Sequence, residues 1–398
     1  MRSTPKPLGP RGDVTGAGQV LALIASGRAR SRADLGELLG LSRATVTQRL
    51  DALFGVGLIR ESEDTVPSGG RPARVLTFNS DFGVALAADI GEAQTRVAVT
   101  DLSPSTMAEA VEVIDLGQGP EYVLDAIAAM FRSLLVRVGR SETDVIGIGL
   151  SLPAPVDYGA AQVVGWSILT GWDGLDIVGY MSRHFAAPVV ADNDVNVRTL
   201  AEHRAVWPDV AQMLFVKAGT GIGSGIIVGG EIYRGAQGAA GDIGHIRIGG
   251  YGDPLCRCGS NGCAESLAGG WAIARDLRAQ GFEANSARDV LALVQRNQPE
   301  AVQLLRRAGR VIGEVVADAV SLLNPSVVVL GGALAEADQF LISGARELVY
   351  QRSLPLATRH LVIAPSQLGA PAGVIGAARL VVETQLSNGG VDRILGHR

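Results

Sequence analysis

Cysteine, lysine and aromatic residues are scarce in this 398-residue chain: three Cys, four Trp, six Tyr and eight Phe. Lys6 and Lys217 are the only lysines among 35 basic residues, a bias that reads as genome composition. Three cysteines cannot staple so long a chain, so its stability must come from a hydrophobic core, for which 47% apolar residues suffice. At 19% charged residues, the chain is globular rather than disordered. No apolar run approaches the roughly 20 residues that cross a bilayer as a helix, so no membrane partner is expected. The start, Met1-Arg-Ser-Thr-Pro-Lys-Pro, is basic without an apolar stretch, and no secretory leader is expected. Those features, with reduced cysteines, predict a cytoplasmic protein.

The cysteines that are present lie together, as Cys256-Arg-Cys258-Gly-Ser-Asn-Gly-Cys263, with His245 eleven residues upstream. Three thiolates and an imidazole provide four ligands for tetrahedral zinc, at about 2.3 Å for sulfur and about 2.0–2.1 Å for nitrogen. Four protein ligands leave no open position, so the expected role is structural: His245, Cys256, Cys258 and Cys263 hold a loop.

The net charge of −5 conceals an asymmetry. Residues 1–78 carry 11 Lys/Arg against 7 Asp/Glu, and the remainder 24 against 33. A basic head on an acidic body points to a polyanion met by the head alone. Residues 1–12 are expected to be a disordered tail. Residues 13–80 read as three helices and a hairpin. Ser31-Arg-Ala-Asp34 resembles a capping box. Ser42 caps a third helix whose Val46, Leu50 and Leu53 form a buried stripe. Thr45 and Gln48 then face outward near the helix start, where base edges are read, and Arg43 and Arg49 flank them for phosphates. Strands at 59–61 and 68–76 make a wing with Arg71 at its tip. These pieces resemble a winged helix-turn-helix domain, whose partner is double-stranded operator DNA.

From Asp81 the pattern becomes α/β: buried strands at 83–90, 95–100, 145–150, 189–191, 212–217 and 326–330, with long helices at 122–138 and 301–323. Four loops carry chemistry. Asp89-Ile-Gly91 could hold Mg²⁺ beside phosphates. Asp192-Asn193-Asp194 offers a carboxylate to accept a hydroxyl proton. Gly219-Thr220-Gly221-Ile-Gly223-Ser-Gly225 and Gly331-Gly332 could bring backbone N–H groups to an anion or nucleotide. Neither run is a Walker or Rossmann motif.

The order of Gly147–Asp157, Asn193-Asp194-Val-Asn196, Gly219–Gly225, Gly241-Asp242-Ile-Gly244-His245 and Cys256–Glu265 closely resembles the ROK family (repressor, open reading frame, kinase), specifically its sugar-responsive repressors. The resemblance implies a two-lobed, actin-like sugar-kinase fold, with lobe 1 at 81–196, completed by 376–390, and lobe 2 with the zinc site at 197–375. It implies sugar contacts from Asn193, Asp194, His245 and Glu265, with Asp242 where the family usually has a sugar-binding Glu. Asp194 would be the catalytic base were the chain a kinase. Nucleotide-binding positions would be Asp89, Gly91, Gly219, Thr220, Gly221, Gly223, Gly331 and Gly332. The first phosphate loop departs from the family: Glu92-Ala93-Gln94 replaces Gly-Thr-Lys. A glutamate about 4 Å from a phosphate charge, at an effective dielectric near 20, repels by about 4 kcal/mol. The favoured reading is therefore a homodimeric or tetrameric repressor that binds a sugar or sugar phosphate. The alternative is a Mg-ATP-dependent sugar kinase with a fused DNA-binding head. Trp166, Trp172 and the surface of the 311–323 helix are read as packing, and His184, His203, His360 and His397 as surface residues.

Overall fold

A computed structural model describes residues 16–66, 73–165 and 169–396. The expected tail, Arg71 at the expected wing tip, Trp166 and His397 lie outside the described residues. In the head, α1 (Ala17–Ala25), α2 (Arg32–Leu39) and α3 (Arg43–Val56) precede the antiparallel pair β1 (Ile59–Val66) and β2 (Ala73–Phe78). The Ser31–Asp34 capping box forms in both directions, at 3.2 and 3.0 Å. Ser42 Oγ accepts from the Thr45 amide and fixes the start of α3. Val46, Leu50 and Leu53 are buried as the helical period requires.

Lobe 1 comprises β3 (Val84–Asp89), β4 (Thr95–Thr100), β5 (Thr106–Glu112), α4 (Pro120–Arg137), β6 (Val145–Leu152), the short pair β7 (Val156–Asp157) and β8 (Gln162–Val163), α5 (Ile177–Met181) and β9 (Val189–Asn193). Its sheet order is β5-β4-β3-β6-β9. Pairing is antiparallel from β3 through β4 to β5 and parallel from β3 through β6 to β9. Then α6 (Asp194–Val206) leads into lobe 2.

Lobe 2 comprises β10 (Gln212–Ala218), β11 (Ile222–Val228), β12 (Glu231–Ile232), α7 (Ala264–Ala268), α8 (Gly270–Ala279), α9 (Ala287–Gln295), α10 (Pro299–Leu323), β13 (Val327–Gly331), α11 (Asp338–Arg352), α12 (Pro355–Thr358) and β14 (Val362–Pro365). The order β12-β11-β10-β13-β14 repeats that of lobe 1, with the same two antiparallel and two parallel pairings. The chain closes with α13 (Ala372–Gln385) and α14 (Asn388–Gly396).

Both sheets are covered on both faces, which is why their strands read as unbroken apolar runs. Val84, Leu86 and Ala88 pack with the α4 cluster, while the alternate Ala85 and Ala87 pack with Val374, Ala377 and Val381 of α13. That second contact is close. A Cβ at Gly149 would lie 2.2 Å from the Ala377 carbonyl oxygen.

Three expectations need correction. Gly223 and Gly225 are not in a loop but in β11, paired with Lys217 and Phe215. His203 is fully buried, with Nε2 against the Val210 carbonyl oxygen at 2.7 Å. Burial also lowers its pKa, so it is not a surface histidine. Finally, α14 packs into the head: Val391 is fully buried among Val20, Leu21, Leu50 and Leu53, with Leu386, Ile394 and Leu395 against the same cluster. Of the segment expected to complete lobe 1, α13 packs on the lobe 1 sheet, whereas α14 packs with the head, whose core takes residues from both ends of the chain.

Candidate functional site

The two lobes face each other across a cleft of about 630 Å³, within the roughly 300–1,000 Å³ usual for small-molecule sites. Parallel strands deliver their C-terminal ends to it: β3 ends in Asp89, β9 in Asn193 and β13 in Gly331. Every residue expected to touch sugar or nucleotide lines this one cavity, namely Asn193, Asp194, Asp242, His245 and Glu265 together with Asp89, Gly91, Gly219, Thr220, Gly221, Gly223, Gly331 and Gly332.

Asn193 is largely committed to backbone. Its Oδ1 caps α6 by accepting from the Val195 amide at 2.9 Å, and its Nδ2 donates to the Ala154 carbonyl at 2.9 Å. One amide hydrogen and one lone pair remain for a ligand. Asp194, buried at the start of α6, pairs through Oδ2 with Nζ of Lys217 on β10. Glu265 holds the β10–β11 turn: Oε2 accepts from the Ile222 amide at 3.0 Å and Oε1 from Trp271 Nε1 at 3.1 Å. A Cβ at Gly221 would lie 2.4 Å from Glu265 Oε2, so a larger residue there would displace that carboxylate from the Ile222 amide. Asp242 reaches within 3.9 Å of His245 Nε2. Enclosure by the cleft and the neighbouring Glu265 raise its pKa, against the pull of His245.

His245 turns its other nitrogen, Nδ1, to Cys256 Sγ at 3.6 Å, and Cys258 Sγ lies 3.8 Å from Cys263 Sγ. The four donor atoms all fall within 4.8 Å of one another, a group able to hold a metal ion. Burial raises Cys256 and pushes Cys263 up to about 12. Cys258 comes down to about 7 despite burial, because the Ser260 amide and the two neighbouring thiols favour its thiolate. Two buried thiols and an exposed one crowded this closely are an environment in which a bound cation favours deprotonation.

Several residues here escaped sequence reasoning. Arg198, one turn beyond Asp194 on α6, donates from Nη2 to Asp89 Oδ2 at 2.5 Å; the i, i+4 spacing on one helix face was the available signal. Asp192, 2% exposed, joins the lobes by accepting from Arg234 Nε at 2.8 Å, and the Arg234 guanidinium lies 3.7 Å from the Tyr158 ring centroid. Arg257, between two of the clustered cysteines, reaches across the cleft to Glu92 at 3.2 Å and lies over Trp271.

On the head, Arg43 and Gln48 are exposed on α3, as is Thr47, which sequence reasoning passed over although it lies one turn beyond exposed Arg43 and Ala44. Thr45 is half-buried, its hydroxyl 2.9 Å from Ser42 Oγ. Arg49 is a correction. It is 5% exposed, and its guanidinium approaches the backbone at Gly16, so it belongs to the head core and cannot reach a phosphate.

The ROK family model matches residues 85–384. The xylose repressor of Bacillus spizizenii is 26% identical, with the alignment covering 89% of this chain and 91% of that protein. A solved ROK family transcriptional regulator, a homologue of the E. coli MLC protein, superposes with a TM-score of 0.81 at 25% identity, covering 97% of this chain and 99% of its own. A ROK family glucokinase from Streptomyces griseus, solved in complex with glucose and AMPPNP, superposes with a TM-score of 0.65 at 27% identity, covering 75% of this chain and 99% of its own.

Proposed function

The chain belongs to the ROK family, and we propose that it is a DNA-binding repressor of carbohydrate genes, acting in the cytoplasm, whose kinase-like body binds a sugar or sugar phosphate. One observation carries this reading: a continuous path of packing runs from the cleft to the head. Asp194 opens α6, α6 packs along α13, and α14, separated from α13 by two residues, packs into the head core through Val391. A ligand that draws on Asp194 therefore acts on helices that end beneath α3. Arg43, Thr47 and Gln48 on α3 are the proposed DNA contacts, with Thr45 closer to a helix-capping role. A homodimer or tetramer would set two such helices about one DNA turn apart. The sugar must bind one spacing better than the other, since only differential affinity moves the equilibrium.

Asn193, Asp194, Asp242, His245 and Glu265 are the proposed sugar contacts. The cysteine cluster fits zinc: with bonds of about 2.3 Å to sulfur and about 2.05 Å to nitrogen, tetrahedral edges are about 3.8 Å for S–S and about 3.6 Å for S–N. The corresponding separations are 3.8 Å for Cys258–Cys263 and 3.6 Å for Cys256–His245. Zinc there would fix the His245 ring and leave Nε2 facing Asp242 and the cleft.

The test begins with duplexes selected by the full-length protein from a random library. Their affinity is then measured by fluorescence anisotropy against xylose, glucose, N-acetylglucosamine and their phosphates. At least one sugar should change affinity tenfold, about 1.4 kcal/mol. Invariance across the panel, together with no calorimetric sugar binding, would sink the proposal. The kinase alternative retains an intact β10–β11 turn in its favour and is tested by ADP release over the same sugars with Mg-ATP. Turnover abolished by Asp194→Asn would replace the repressor reading.

A further inference from the structure

The carboxylates that phosphoryl transfer would need are already held by the protein's own cations. We propose that Arg198 keeps a metal–nucleotide out of the cleft, making it a site for sugar alone; this rests on the sugar-binding reading above. Asp89 is enclosed on three sides. Arg198 Nη2 lies 2.5 Å from its Oδ2, Ser151 Oγ donates to its Oδ1 at 2.7 Å, and α13 runs so close that a Cβ at Gly373 would lie 2.1 Å from the carboxylate carbon. The two paired side chains are 17% and 11% exposed, for Arg198 and Asp89 respectively. Magnesium demands a near-octahedral oxygen shell at about 2.0–2.1 Å and gives up water reluctantly. To reach Asp89 it would have to expel a guanidinium and then sit beside that unpaired positive charge.

A second observation points the same way from the opposite lobe. Lys217, the only lysine among the described residues, pairs with Asp194. A proton accepted by Asp194 would cancel the counter-charge of that ammonium. A third lies in the first turn, where Glu92, paired with Arg257 across the cleft, puts a carboxylate where a phosphate would have to sit. Magnesium–nucleotide therefore does not fit the residues present.

The experiment is a calorimetric titration of the full-length protein with AMPPNP in excess magnesium chloride. It compares wild type, Glu92→Gly, Glu92→Gly with Arg198→Ala, and Glu92→Gly with Arg198→Lys. The alanine combination should bind at least tenfold more tightly than Glu92→Gly alone, while the lysine combination stays with the single variant. Equal behaviour of single and alanine variants, whether both bind or neither does, overturns the proposal. So does a lysine variant that binds as well as the alanine one. If the alanine variant unfolds, Arg198→Gln, which keeps a donor for Asp89 without the charge, is read in the same way. Titration of the same proteins with xylose, glucose, N-acetylglucosamine and their phosphates separates the two ideas: absent binding across that panel counts against the repressor reading, whereas the nucleotide comparison decides Arg198.

Discussion

The two lobes repeat one sheet order, and their first hairpins meet the cleft from opposite sides, yet the two turns have fared differently. In lobe 2, the β10–β11 turn and the strand β11 that follows it keep every glycine. A Cβ would lie 2.4 Å from Glu265 Oε2 at Gly221, 3.0 Å from Val195 Cγ2 at Gly223 and 2.1 Å from Thr199 Oγ1 at Gly225. In lobe 1, Glu92 and Ala93 are exposed, and Gly91 has only the Gln94 carbonyl within reach, at 3.0 Å. Close packing against α6 and Glu265 therefore preserves the lobe 2 glycines whether or not a nucleotide binds. Their retention is weak evidence for a kinase. The lobe 1 turn is less tightly held, with that single contact at Gly91 and with Glu92 exposed, so its glutamate is the more informative of the two.

The sharpest way to break this comparison is to add one methyl group to each hairpin. Gly225→Ala pushes a carbon into Thr199, which is fully buried and fixed by its own bond to the Val195 carbonyl at 2.6 Å. Overpacking of that kind should cost about 2–3 kcal/mol. Gly91→Ala should cost less than about 1 kcal/mol. Thermal midpoints of the two variants settle the order. Equal losses would mean that the lobe 2 glycines are not held by packing.

Much of this contrast was readable in the sequence, and the reasons it was not wholly so are physical. The capping box at Ser31, the stripe Val46–Leu50–Leu53 and the cysteine cluster are local patterns, and short-range geometry decides them. The α/β alternation gave the layers, and the family resemblance gave the lobes. The head core was not legible, because Val391 enters it from the other end of the chain. The burial of Arg49 was missed because a helical wheel shows direction but not the segment that covers it. The glycines at 223 and 225 read as a loop, although a strand buried between a sheet and α6 requires small residues just as a turn does. Lys217 looked like compositional noise until the fold placed it against Asp194.

A smaller effect, confined to one lobe, is expected from the metal loop. Cys258→Ser removes one of the four proposed zinc ligands from a loop that also carries Arg257. Sugar affinity should fall about tenfold, or about 1.4 kcal/mol, while DNA affinity without sugar changes less than twofold. The head joins the body through lobe 1 by way of α13 and α14. If the cluster holds zinc as proposed, a chelator should reproduce the mutant, with metal content followed by atomic absorption. Parallel loss of DNA binding in a folded mutant would mean that the zinc loop supports both lobes equally.

The smallest expected effect is the most discriminating for the comparison. Glu92→Gln breaks the ion pair with Arg257 that spans the cleft from the loose turn to the metal loop. Both side chains are about a third exposed, 32% for Glu92 and 39% for Arg257. Solvent and salt therefore screen the pair, and it is worth about 0.5 kcal/mol at most. Sugar affinity should shift less than threefold, and the shift should fade between 50 mM and 500 mM sodium chloride. A tenfold, salt-resistant change would show that the lobe 1 turn is not a slack remnant. It would instead make Glu92 a working part of the sensor, pulling the metal loop onto the sugar as the lobes close. The two turns would then differ in what they grip rather than in whether they are constrained, and the close packing of the β10–β11 turn would have to be explained by function as well as by space.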